Sequence, residues 1–137
     1  MKLQVMNAVL LLSLSQFSFG ALPPKPNACP SVSALKAIGV SDMIKEDGQW
    51  YGAVQSNNYN TTDKWTFVIG AFRATDESDA KQQALRAINS LSFLSGPEAF
   101  NMDGQDSWIC GYKDRSGHTA ATITPTMPFL HSGLIHH

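Results

Sequence analysis

Residues 75–106 read TDESDAKQQALRAINSLSFLSGPEAFNMDGQD, and the start of this stretch carries the longest helical pattern of the chain. Thr75 and Asp76 offer capping side chains, and Glu77 and Asp79 put negative charge on the first turn, where unbonded helix amides favour it. Ala80, Ala84, Ala87, Ile88, Leu91 and Leu94 recur at the 3.6-residue period, with Lys81, Gln82 and Arg86 off that stripe. The pattern predicts a helix over 76–94, ended by Gly96-Pro97. The stretch after it, 96–106, reads as a turn-rich connector with Phe100 and Met102 as apolar anchors.

Working outward, Trp50–Ser56 and Lys64–Ala74 are rich in aromatic and β-branched residues and flank the polar NNYNTTD, which predicts a hairpin. In the second of these strands Trp65, Phe67, Ile69 and Ala71 alternate with Thr66, Val68, Gly70 and Phe72, so neither face is wholly polar. Ser107–Lys113 and His118–Thr124 predict a second hairpin around Asp114-Arg115-Ser116-Gly117. Upstream, Pro30 suits a first helical turn, Val32, Leu35 and Ile38 keep helical spacing, and Gly39 is a natural stop. The expected fold class is α+β, in the order helix, β-hairpin, long helix, β-hairpin. A roughly four-stranded antiparallel sheet is expected to pack on the long helix, with one disulfide.

The chain opens with Lys2, an apolar run from Val5 to Leu14 and the small residues Ser18-Phe19-Gly20-Ala21, the pattern of an export signal over 1–20. The apolar run is too short to span a bilayer, so no membrane anchor is expected after cleavage. Residues 21–28 are proline-rich and read as a linker, 29–125 as one α+β domain, and 126–137 as a mobile tail. The expected location is secreted or periplasmic. There thiols oxidise, so Cys29 and Cys110, the 2 cysteines of the chain, are expected to pair and tie the first helix to a late strand.

The chemistry is mostly defined by what is missing. Loss of a leader holding Lys2 takes the basic residues from 10 to 9 against 11 acidic ones, a net charge of −2, and no basic run interleaves with aromatics. Nucleic acid is therefore not an expected partner. There is no Gly-x-Ser-x-Gly elbow and no phosphate-cradling glycine loop, and the acids at 76–79 are accounted for by the helix start, so no enzyme is expected. All 4 histidines fall at the C-terminal end: His118, His131, His136 and His137. Unprotonated imidazole nitrogen ligates haem iron, as phenolate and thioether also do, which makes His118 and His131 candidate iron donors and Tyr112 a candidate haem contact. Tyr59, Met43 and Met127 are weaker candidates, and Trp50, Trp65 and Trp108 read as core anchors before they read as a platform for a flat ligand.

Taken together, PKPNACPSVSALKAIGV, WYGAVQSNNYNTTDKWTFVIGAF, DAKQQALRAINSL and WICGY give a chain that, from about Pro24 to Pro125, resembles the Legionella hemin-binding protein family, many of whose members are described only as a domain of unknown function. The resemblance implies a small exported α+β domain that binds hemin as cargo, without turnover, in the service of iron acquisition. The alternative expectation is an exported interaction module, an inhibitor or host-directed protein that offers a hairpin edge or loop to a protein partner and has no haem ligand.

Overall fold

The computed structural model describes residues 22–128; the expected leader and residues 129–137, with His131, lie outside the described residues. Within these bounds the chain runs through α1 (Val32–Ile38), β1 (Asp42–Glu46), β2 (Gln49–Asn57), β3 (Trp65–Phe72), α2 (Glu77–Asn89), β4 (Ser92–Met102), β5 (Gln105–Lys113) and β6 (Thr119–Thr124). The strands form one antiparallel sheet in the order β1-β2-β3-β6-β5-β4. This corrects the expectation of a four-stranded sheet packed on a long helix. The sheet has 6 strands, and both helices are short, with 7 and 13 residues.

The two unexpected strands have one cause in common. Glu46 pairs with Gln49 across Asp47-Gly48, and Met102 pairs with Gln105 across Asp103-Gly104. All four turn residues have positive φ, at 51° and 80° in the first turn and 53° and 84° in the second. A two-residue loop in this conformation matches the right-handed twist of the strands it joins, and Asp-Gly is among the few pairs that adopt it cheaply. The chain is thus two successive units of one helix and a three-stranded meander, joined along β3 and β6.

Helix α2 begins as its sequence implies: the Asp76 carboxylate accepts from the Asp79 amide at 2.8 Å, and Asp79 accepts from the Thr75 amide at 3.1 Å. Its end comes earlier. The Ser90 hydroxyl donates to the Ala87 carbonyl and accepts the amide of Arg115, and this tertiary bond draws the chain out of the helix. Leu91 is still buried, but Phe93 and Leu94 pass into β4 and are 53 % and 54 % exposed. Gly96-Pro97, expected as a helix stop, interrupts the β4–β5 register instead. Proline lacks the ladder donor, and β4 tolerates it as an edge strand.

Helix α2 lies on β1–β3 and α1 packs on α2. A helix of 13 residues is marginal in water and holds only by burying its stripe, here Ala80, Ala84, Ala87 and Ile88. The approach is close because Gly52 faces it; a Cβ there would stand 2.8 Å from Val40 Cγ1 and 3.3 Å from Ala84 Cβ. Trp65, Phe67 and Ile69 complete this core without exposure. Phe72 joins them because one extra β3 residue between the Tyr51–Gly70 and Trp50–Phe72 pairs turns it to the helix side, a bulge that simple alternation does not anticipate.

Helix α1 is capped by the Ser31 hydroxyl on the Ala34 amide and ends at Gly39, whose φ is 73°. Being far too short to persist alone, it is held from both sides. Leu35 is fully buried among the core residues, and the turn before the helix is fastened to β5 by the Cys29–Cys110 disulfide and by the Tyr112 hydroxyl, which donates to the Pro30 carbonyl at 2.6 Å. The preceding segment is also engaged: Trp108 Nε1 donates to the Pro23 carbonyl, and Lys25 lies over the indole.

The opposite face of the sheet carries a second apolar cluster of Ile44, Ala53, Ile123 and Met127, with Val68 and Ile109 at its margin. Met127, at the start of the expected tail, donates its amide to Thr66 Oγ1 at 2.8 Å, and its carbonyl accepts from Gln55 Nε2.

Candidate functional site

Between β5 and β6 the chain turns through Asp114–His118, closed by the Asp114 amide donating to the His118 carbonyl at 3.0 Å. Gly117, at φ 96°, supplies the left-handed step. The Asp114 carboxylate sits inside the turn with its side chain 3 % exposed. One oxygen accepts the amides of Ser116 (3.0 Å) and His118 (2.6 Å), and the other meets His118 Nδ1 at 2.7 Å.

The protonation of the pair follows from this count. Burial disfavours the Asp114 charge, but the bonds from the His118 ring, the His118 amide and the Ser116 amide outweigh it and hold the carboxyl below its usual 3.8. An ionised carboxylate only accepts, so Nδ1 carries the proton, and in neutral imidazole Nε2 is then the free lone pair. Among the described residues no group bonds Nε2, and the His118 side chain is 30 % exposed. Phe72 backs the ring at a centroid distance of 4.6 Å, so its orientation is fixed from two directions. A cleft of about 430 Å³ opens beside the turn, lined by Ser90, Ser92, Lys113 and Arg115 together with Asp114 and Gly117.

Asp114→Asn removes the charged acceptor of three bonds and is expected to lower stability at neutral pH by about 2 kcal/mol. Because folding depresses this carboxyl, the stabilisation is present above its ordinary value of 3.8 and fades as pH falls through the lower, folded-state value. Denaturant unfolding of both proteins at pH 7 and pH 3 checks this; the gap narrows at the lower pH.

The other candidates are dispersed. Tyr112 has no exposed surface, its hydroxyl is committed to Pro30, and burial, slightly offset by Thr122, pushes its phenol up to about 12. Tyr59 is buried against Phe67, and burial together with Tyr112 pushes its phenol higher still. Met127 is buried on the far face and Met43 is half-buried at the helix-side core. Trp65 is wholly interior with Nε1 on Thr61, whereas Trp50 and Trp108 lie under Lys45 and Lys25, so the indoles build no common platform. His131, His136 and His137 lie outside the described residues. Among the described residues no three histidine, cysteine or acidic side chains gather as a metal site.

Sequence reasoning passed over Asp114 as an ordinary turn residue. Its signal was the spacing: an aspartate four residues before a histidine, with a glycine between, can bond both the loop amides and the ring.

A family model described as a domain of unknown function (DUF4949) matches residues 28–126. The chain belongs to that family. The matched DUF4949 region takes in both cysteines, both meanders and the Asp114–His118 turn. No curated protein and no solved structure matches the chain. Among the described residues no helix is long and apolar enough to cross a membrane, and the cysteines are paired; both facts are compatible with an extracellular protein.

Proposed function

We propose that this protein is an exported, non-enzymatic hemin-binding protein in which His118 gives iron its Nε2 nitrogen. The observation that carries the reading is the Asp114 carboxylate on His118 Nδ1. Histidines that ligate metal commonly donate their second nitrogen to such an acceptor, which fixes the tautomer and raises ligand basicity. Support comes from the surroundings: Phe72 gives an aromatic backing, and Arg115, at the edge of the adjoining cleft, is a cation of the kind that receives propionate carboxylates. When bound, hemin would supply the iron chemistry; the chain's own part is to hold the His118 ring in place through the Asp114 bond at Nδ1. Likeness to the hemin-binding family and the export-type leader agree with the reading.

The test is optical titration of the mature chain with hemin. A saturable Soret shift is expected, weakened at least tenfold by His118→Ala and about tenfold by Asp114→Asn, with unfolding curves confirming that both variants are folded. His131→Ala, the other expected donor, is measured in parallel. Absence of a saturable shift in the wild type, or an unchanged one in His118→Ala, refutes the assignment.

The alternative of an exported interaction module draws on Phe93, Leu94 and Met102, which stand exposed along edge strand β4. That reading requires partner capture that is indifferent to His118→Ala.

A further inference from the structure

The helix-side core contains a buried hydroxyl whose bonding the protein alone does not supply. Tyr59, in the loop between β2 and β3, is 3 % exposed, and among the described residues its phenol oxygen meets no hydrogen-bonding group. A hydroxyl taken out of water without a partner costs more than a typical hydrogen bond contributes, so buried polar groups are bonded, to protein or to an internal water. The other face of the same sheet shows the usual outcome: Thr66 Oγ1 donates to the Gln55 carbonyl and accepts the Met127 amide.

The surroundings of Tyr59 hold two more hydroxyls with unfilled bonding. Its ring packs edge-on against Phe67, and Phe67 stands opposite Thr122 in the cross-strand row that continues to Cys110. Thr122 has no exposed surface, and its Oγ1 is 3.5 Å from the Tyr112 hydroxyl, beyond the usual O–H···O range. Tyr112 donates its single proton to the Pro30 carbonyl, so towards Thr122 and Tyr59 it can only accept. Tyr59 lies near enough to Tyr112 for that neighbour to raise its phenol further. Two donors without good acceptors and one acceptor without a donor thus gather beneath the turn that leads into α1. A water molecule matches this set. It accepts from Tyr59 and Thr122 and donates to Tyr112, about three bonds being typical of a buried water.

We infer that the core binds one structural water between the hydroxyls of Tyr59, Thr122 and Tyr112, and that this water ties the β2–β3 loop to the turn before α1. The site is separate from the Asp114–His118 turn and does not depend on iron.

The test combines oxygen-17 magnetic relaxation dispersion, which counts long-lived internal waters, with thermal unfolding of the mature chain. Tyr59→Phe keeps the ring against Phe67 and removes only the hydroxyl. It is expected to lose one long-lived water and to unfold about 4 °C lower, because the bonds to Thr122 and Tyr112 go with the water. Thr122→Val is expected to act alike, and the double variant to lose less than the sum of the two, since both remove the same water. His118→Ala leaves the water count unchanged. Circular dichroism establishes that the variants are folded. The inference is overturned by a water count equal in wild type and Tyr59→Phe, by an unchanged or raised midpoint in Tyr59→Phe, which marks the hydroxyl as simply unpaired, or by additive losses in the double variant. Hemin titration of the same preparations keeps the two proposals apart, because either site can fail without the other.

Discussion

Replacing Cys29 and Cys110 together with serine lowers the unfolding free energy by about 4.5 kcal/mol, the largest single loss expected in this molecule. The two cysteines are 81 positions apart, so the bond closes most of the folded domain into one loop and strongly restricts the unfolded chain. It also has a native-state role, because α1 has only 7 residues and reaches the sheet through the turn that Cys29 anchors. Denaturant midpoints of the oxidised wild type and the double variant measure the effect. A difference below about 1 kcal/mol would mean that Tyr112 on Pro30 and Leu35 in the core hold α1 without the bond.

Trp65→Ala comes next, with an expected loss of about 4 kcal/mol. The indole is completely buried in the helix-side core cluster, so truncation leaves a large cavity and removes the Nε1 bond to Thr61 Oγ1 at 2.8 Å, although that hydroxyl keeps its bonds to Asn58 and Asp63. Trp108→Ala supplies the contrast. That residue is only half-buried and bonds Pro23, which lies ahead of the matched family region, so a loss of about 1 kcal/mol is expected. Equal effects from the two substitutions in thermal or denaturant unfolding would place the core elsewhere than between α2 and β3.

The legible and illegible parts of the fold separate along physical lines. Strands β2, β3, β5 and β6 were readable because they are inner strands dense in aromatic and β-branched residues. Strands β1 and β4 lie at the edges, half polar, and their pairing is announced by Asp47-Gly48 and Asp103-Gly104 more than by their own residues. The end of α2 at Asn89 was not readable: the apolar period continues to Leu94, and what stops the helix is a bond from Ser90 to Arg115, 25 positions away. The cysteine pairing followed from compartment and count alone. At the site, imidazole chemistry pointed to His118, but its Asp114 partner depends on how a five-residue turn closes, and the candidates at Tyr112 and Tyr59 were lost to burial that only the assembled sheet reveals.

The central functional claim is one nitrogen on one metal, and nitrogen hyperfine spectroscopy reads that bond directly. In ferric hemin bound to the mature chain carrying ¹⁵N-labelled histidine, the account predicts an imidazole ¹⁵N coupling that disappears in folded His118→Ala. A wild-type complex with no imidazole coupling, or a coupling that persists unchanged in His118→Ala, would contradict it.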